Sequence, residues 1–451
     1  MPSSRVDQVA RSLPARVVTL SLLGAVCLGL TPALAALSVV ISAAIVVHGF
    51  SGRSAADPVS RRILFLVFYS AGSAIIFGGI GAAATVPLID WIGGEGRFFL
   101  YYWPALAILA LPARHFIGSP VEQRLGRAFA VAAAATLIAT VLDAASVAPV
   151  FSTHHGAGAV SATIIIIGVF RFESTRQRSD LAILIAGIAS ILISNSRTSL
   201  IAVVVAVTIV HLSAARLAQL IKVAGVGSLS VLVMALFLPA QFDRLAQVTS
   251  TEVVAAVITN VRLGFEGEGQ SEVARAFDLA GDTGELGNTN LNIRGQLWGR
   301  SLHEGLRSPA LGIGFGRMND LGREFTGTPY VLYPAVAAAN PNPSNLTAHN
   351  SYLHIFNELG VLGFAALYAI IRRLRSGLHG DGVWERTGRC ALVTLLLMAV
   401  TQHAFGAPIY GLSIFVLTVL CYRMSNGPSP ATSPMEEPSV IDAAVARLPQ
   451  P

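Results

Sequence analysis

Three short stretches of this 451-residue chain hold residue types that bind phosphate and move protons. The first is Ser194-Asn195-Ser196-Arg197-Thr198-Ser199, a brief polar break between two apolar runs. A hairpin turn is served by Gly, Asn or Ser and does not demand arginine, and arginine near a bilayer is costly. The plain reading of Arg197 is a side chain snorkelling to the lipid headgroups. The functional reading is an anion ligand, because the planar guanidinium fork matches phosphate oxygens. The second stretch runs from Asn292 to Pro309 and on through Gly312-Ile313-Gly314. Asn292 suits an N-cap and Pro309 a stop, which predicts a helix between them. Leu297, Trp298, Leu302 and Leu306 form its apolar stripe, and Arg294 and Trp298, four apart, share a face. As structure alone this is an amphipathic helix lying on lipid. The glycines lack a surrounding βαβ unit, so they predict tight turns and not a dinucleotide site. The third stretch is His349-Asn350-Ser351-Tyr352-Leu353, followed by Glu358-Leu359-Gly360 and Gly363. The four-residue spacing from His349 to Leu353 predicts that His349 begins a helix. A lone interfacial histidine is commonly a satisfied polar group. Beside two arginines it becomes a candidate for proton transfer near neutral pH.

The elements that must position these residues are membrane helices. The chain is 53% hydrophobic and only 12% charged, about half the charge of a soluble domain. Apolar runs near 17–30, 33–50, 63–83, 98–113, 128–148, 156–171, 181–195, 198–212, 218–238, 350–371, 390–403 and 408–424 predict an all-α polytopic membrane protein of about twelve transmembrane helices. The first pair is divided only by Thr31-Pro32, and one bent span there would leave eleven. Arg5, Arg11 and Arg16 precede the first run, which continues beyond a signal-peptide core and reads as a retained span.

The net charge of +6 is distributed, not general. With twelve spans and the N-terminus inside, Arg53, Arg61 and Arg62, then Arg114, Arg124 and Arg127, then Arg171, Arg176 and Arg178 fall on the cytoplasmic side. Arg216 and Lys222 and the group from Arg372 to Arg389 join them, while the short outer loops hold only Arg97 and Arg197. That asymmetry follows the positive-inside rule and accounts for the basic balance without nucleic acid. It predicts transmembrane helices over 1–238, a large extracytoplasmic loop with short helices over 239–348, further spans over 349–424, and a Pro- and Ser-rich disordered cytoplasmic tail over 425–451. Both termini are then cytoplasmic, and all three stretches meet the outer face. Cys27, Cys390 and Cys421 lie in apolar runs with no CxxC pair, and read as small buried hydrophobes.

At these residues the sequence resembles the O-antigen ligase and O-antigen polymerase superfamily. The Ser196-Arg197 turn, the Arg294…Trp298…Pro309…Gly312-Ile313-Gly314 stretch and the His349-Asn350-Ser351-Tyr352-Leu353…Glu358-Leu359-Gly360…Gly363 segment carry the likeness. It spans roughly 180–425, and the earlier spans match in hydropathy alone. The resemblance implies a glycosyltransferase of the inner membrane, assembling O-antigen, capsule or exopolysaccharide. Its donor would be an oligosaccharide on a polyprenyl diphosphate carrier, and its acceptor a glycan, lipid or protein. It further implies catalysis with neither metal nor cofactor, Arg197 and Arg294 holding the diphosphate and His349 acting on the acceptor hydroxyl.

Two other readings are open to the residues. Metal-dependent transfer would use acidic residues in an outer loop. The first outer loop has no carboxylate, Asp90 and Glu95 are loosely spaced, and Glu266 and Glu268 sit among glycines, as on a solvated surface. A lipid-linked oligosaccharide transporter or flippase would be expected to show internal repeats and midplane charges. No repeat is visible, and Asp143, the clearest charge within a span, is near its outer end. His154, His155 and His403 also lie at predicted outer ends, as interface residues.

Overall fold

The computed structural model describes residues 58–81, 102, 105, 106, 108, 109, 119–145, 147, 154–213, 251–266, 295, 298, 299, 301–314, 350–402, 404, 405 and 408–426. Among these residues the fold is all-helical. The longer helices are α1 (Pro58–Gly81), α2 (Ser119–Ala144), α3 (His154–Thr175), α4 (Arg178–Ile193), α5 (Arg197–Ser213), α6 (Thr251–Glu266), α7 (Ser351–Gly377), α8 (Val383–Thr401) and α9 (Pro408–Ser425). Proline opens α1 and α9 and is second in α2. There its fixed φ is already helical and its missing N–H would have had no partner. The expected runs at 63–83, 128–148, 156–171, 181–195, 198–212, 350–371, 390–403 and 408–424 each fall on one of these helices. Residues 102, 105, 106, 108 and 109 of the run near 98–113 are helical too. The runs at 17–30, 33–50 and 218–238 lie outside the described residues, as does the tail from 427. Within 239–348, α6 and residues 301–307 are helical.

Burial shows which helices form the centre. In α3 the residues from Gly156 to Ile167 are all buried, and in α9 so are those from Gly411 to Tyr422. A helix apolar and covered all round is interior. The surrounding helices instead expose large apolar side chains: Phe65 and Phe68 on α1, Val131 and Ile138 on α2, Ile185 on α4 and Ile209 on α5. Such a continuous apolar exterior requires hydrocarbon as solvent. Glu122–Ala144, Gly156–Thr175 and Ser351–Gly377 are each long and apolar enough to cross a bilayer, and the chain is a membrane protein. Without water to drive association, membrane helices gain from close backbone approach at small residues. Gly168 meets the backbone of Leu184, and Gly187 meets Ile164 and Ile165, so α3 and α4 lie in tight contact. Cys390 and Cys421 are buried free thiols, as their apolar surroundings predict, and Cys27 lies outside the described residues.

One end of the bundle is tied by ions. Glu173 of α3 meets His211 of α5 at 2.6 Å and Arg386 of α8 at 2.8 Å. Arg171 pairs with the buried Asp180 of α4 at 2.9 Å. Phe170 stacks on His211 and lies 5.4 Å from the Arg386 guanidinium. Arg171 and Arg386, which the charge pattern places among basic loops, are thus helical residues used to join four helices. Removing one partner of a buried pair leaves an uncompensated charge, at a cost of about 3–5 kcal/mol. Arg386→Ala is therefore expected to lower the melting temperature of the detergent-solubilised protein substantially. An unchanged melting temperature would show that His211 alone is partner enough for Glu173.

Candidate active site

The Arg197 turn is built so that arginine is not needed to make it. α4 ends at Ile193, and Asn195 takes the left-handed conformation at φ 55°, which its short polar side chain tolerates. Ser196 is buried and its hydroxyl donates to Ser199 Oγ at 2.9 Å. A Cβ on Gly158 of α3 would overlap Ser196, so the turn is seated directly on the start of α3. Arg197 is the first residue of α5 and is half-buried. A cation at a helix N-terminus opposes the helix dipole. The dipole and the guanidinium together favour an anion there. The bare turn explains Asn195 and Ser196 but not Arg197.

The stretch after His349 resolves into structural tasks. Asn350 is the N-cap of α7, and its side chain accepts from the N–H groups of Tyr352 at 3.0 Å and Leu353 at 3.1 Å. The helix therefore starts at Ser351, two residues later than the His349–Leu353 spacing predicts, because Asn350 caps far better than it propagates. The Ser351 hydroxyl donates to Gln402 O and accepts from Phe405 N, both at 3.0 Å, joining the start of α7 to the end of α8. Tyr352 donates to Leu396 O at 2.9 Å.

α7 is not one continuous helix. Gly360 breaks it at φ 61° and ψ −160°. An unbroken helix would pair Asn357 O with Val361 N and Glu358 O with Leu362 N. All four groups are instead paired with the segment that follows the 301–307 helix. Ile313 N–H donates to Asn357 O at 2.8 Å and Gly314 N–H to Glu358 O at 3.1 Å, while Val361 N–H donates to Pro309 O at 2.9 Å and Leu362 N–H to Ala310 O at 3.2 Å. Tyr69 of α1 lies 3.1 Å from Leu359 O and 3.3 Å from Leu311 O, and donates its one proton to either. The break is tolerated because protein replaces every missing partner. Gly312 and Gly314 are left-handed, at φ 74° and 107°. They make the tight turns expected of the glycine run, and Gly312 packs on the Glu358 backbone where a Cβ would overlap it.

Beneath this junction is a buried polar group that the motif letters do not announce. His354 Nε2 and Glu358 Oε2 are 3.0 Å apart, with side chains 2% and 0% exposed. Asn357 is fully buried, and neither of its amide atoms has a hydrogen-bond partner among the described residues; the same holds for Ser301 Oγ. The i,i+4 spacing of His354 and Glu358 was the available signal, but in an apolar run it does not say whether the pair faces protein or water. Glu266, by contrast, pairs with Arg262 at 2.9 Å on the exposed surface of α6, the solvated placement its glycine neighbours predict. Glu268 lies outside the described residues.

The bundle brings two of the three stretches to one end. His211 at the end of α5 and Arg386 at the start of α8 share Glu173. From that level, α5 rises about 21 Å to Arg197 and α8 about 24 Å to Gln402, at 1.5 Å per residue. Gln402 holds Ser351, so the Arg197 turn and the capped start of α7 lie at the same end. The 309–314 segment is hydrogen-bonded to α7 just beyond. Arg294 and His349 themselves, with His403, lie outside the described residues; each is joined by a few residues of chain to a placed element. Trp298 is half-buried in the helix that Asn292 and Pro309 predict, which ends at Arg307 before Pro309. The model of a protein family described as O-antigen ligase matches residues 181–368, a span enclosing Arg197, Arg294 and His349. No curated protein matches the chain.

Proposed function

We infer, from a chain whose residues 181–368 belong to the O-antigen ligase/polymerase superfamily, that it is a multi-pass glycosyltransferase of the inner membrane. In this reading it moves a glycan from a polyprenyl diphosphate carrier to an acceptor hydroxyl on a glycan, lipid or protein. The 239–348 segment is extracytoplasmic, both termini are cytoplasmic, and about twelve spans carry the chain across the bilayer. The observation that supports the reading best is the half-buried Arg197 at the N-terminus of α5. Helix dipole and guanidinium favour an anion there, at the bundle end that also holds the start of α7.

The reaction needs little beyond charge and orientation. The acceptor oxygen attacks the anomeric carbon, and the bond from that carbon to the diphosphate oxygen breaks. Polyprenyl diphosphate leaves with the bonding pair, and Arg197 and Arg294 neutralise it. Stabilising charge as it develops is the largest lever for such a leaving group. His349 receives the acceptor's proton, or orients the hydroxyl that loses it.

Purified full-length protein, supplied with a polyprenyl-diphosphate-linked oligosaccharide, is expected to release the carrier and elongate or cap an acceptor. Activity should survive EDTA. Arg197→Ala and Arg294→Ala are each expected to lower transfer about 10²-fold. Full transfer in either variant would remove that arginine from the diphosphate site. Loss of activity in EDTA would return the reaction to a metal.

A further inference from the structure

The first two turns of α7 carry a polar stripe that faces inward. Asn350, His354, Asn357 and Glu358 recur at helical spacing, and all four are buried. The helical residues 301–307 pack against the same turns of α7. Gly305 there lies against Phe356 and Asn357. Ser301 shares that face one turn earlier, and both Ser301 and Glu304 are buried.

Within this seam Asn357 and Ser301 stand out: the amide Nδ2 and Oδ1 and the serine Oγ lack hydrogen-bond partners among the described residues. Buried polar atoms in low dielectric are paired as a rule, and an unpaired one marks a ligand, a water or a functional constraint. The chemistry of the seam narrows the choice. An amide offers N–H donors and a carbonyl acceptor side by side, and a hydroxyl group can answer both. A phosphate would face the carboxyl groups of Glu304 and Glu358. A metal cation would leave the amide N–H groups unanswered.

We propose that the seam between the 301–307 helix and the first two turns of α7 binds neutral hydroxyl groups, from the glycan or from ordered water, and not the diphosphate. This rests on the transferase reading and divides the labour within it. Arginines hold the charged half of the donor, and a hydroxyl-selective seam, whose carboxyl groups disfavour phosphate, begins two residues beyond His349 in sequence.

The test is Asn357→Leu, which keeps the branched shape and removes both polar groups, assayed in the full chain with a polyprenyl-diphosphate-linked oligosaccharide. About a tenfold rise in KM for donor or acceptor with kcat kept is expected if glycan hydroxyls bind; about a tenfold fall in kcat with KM kept is expected if ordered water does. Ser301→Ala, a smaller change, should shift the same constant in the same direction. Unchanged kcat and KM in both variants, with a higher melting temperature for Asn357→Leu, would overturn the proposal, because removing an unanswered buried amide then only stabilises. A cryo-EM map of the full chain gives a readout independent of transfer. Density within hydrogen-bond distance of the Asn357 amide supports the seam even if the wild-type chain transfers no glycan; a closed, empty seam sinks it.

Discussion

Replacing His349 with alanine is expected to reduce glycan transfer by about 10²–10⁴-fold, the usual contribution of a positioned general base. Membrane insertion and melting temperature should stay near wild type. The structure supplies the reason for this separation. The work of starting α7 falls to the three residues after His349: Asn350 caps it, Ser351 ties it to Gln402 and Phe405, and Tyr352 anchors it on Leu396. None of these contacts uses the His349 side chain, so its loss should leave the helix start in place. An acceptor hydroxyl holds its proton tightly at neutral pH, and a group that takes or orients that proton acts on the rate of the chemical step. The readouts are transfer from a lipid-linked oligosaccharide and thermal unfolding in detergent. Transfer retained by His349→Ala would end its assignment as the base. A parallel collapse in stability would make the residue structural.

Gly360→Ala should be strongly destabilising, at about 3 kcal/mol or more. Two costs add. The conformation at φ 61° and ψ −160° belongs to a region essentially restricted to glycine. A Cβ there would also lie 2.5 Å from the carbonyl carbon and oxygen of Ala310 and 2.6 Å from Gly312 N, all backbone atoms that cannot rotate away. Relief would require moving the 309–314 segment off α7, which would strip Asn357 O, Glu358 O, Val361 N and Leu362 N of their partners. The expected result is a large fall in melting temperature together with lost transfer. Gly72→Ala on α1 is the matched control, because a Cβ there meets nothing within 4 Å; it should be near neutral. Equal melting temperatures for the two variants would show that the junction at Gly360 is not held as described.

Much of the architecture was legible because membrane helices announce themselves locally. An apolar run of sufficient length must be a helix in hydrocarbon, since only a helix pairs its own backbone there. The prolines that open α1 and α9 and the Asn195 turn are likewise local facts. Other features depended on partners far along the chain. Glu173 and Arg386 are 213 positions apart, and no pattern in either neighbourhood reveals that they meet. In sequence Arg386 resembles any other basic residue beside a span, and the same holds for Arg171 until Asp180 is seen to be buried against it.

The candidate site divides in the same way. Residue type nominated Arg197, Arg294 and His349 as candidates, because few side chains suit phosphate or proton transfer, and the family resemblance suggested their roles. The sequence also determined that Gly312 and Gly314 could turn. Only the tertiary structure decided that Gly360 breaks α7, since a glycine inside an apolar run is equally compatible with an unbroken helix. The choice depends on whether another segment can supply four backbone partners, and Pro309 to Gly314 do. It alone also buried His354, Asn357 and Glu358 inside the protein. Helical spacing sets which residues share a face, but only packing decides whether that face meets lipid, water or protein.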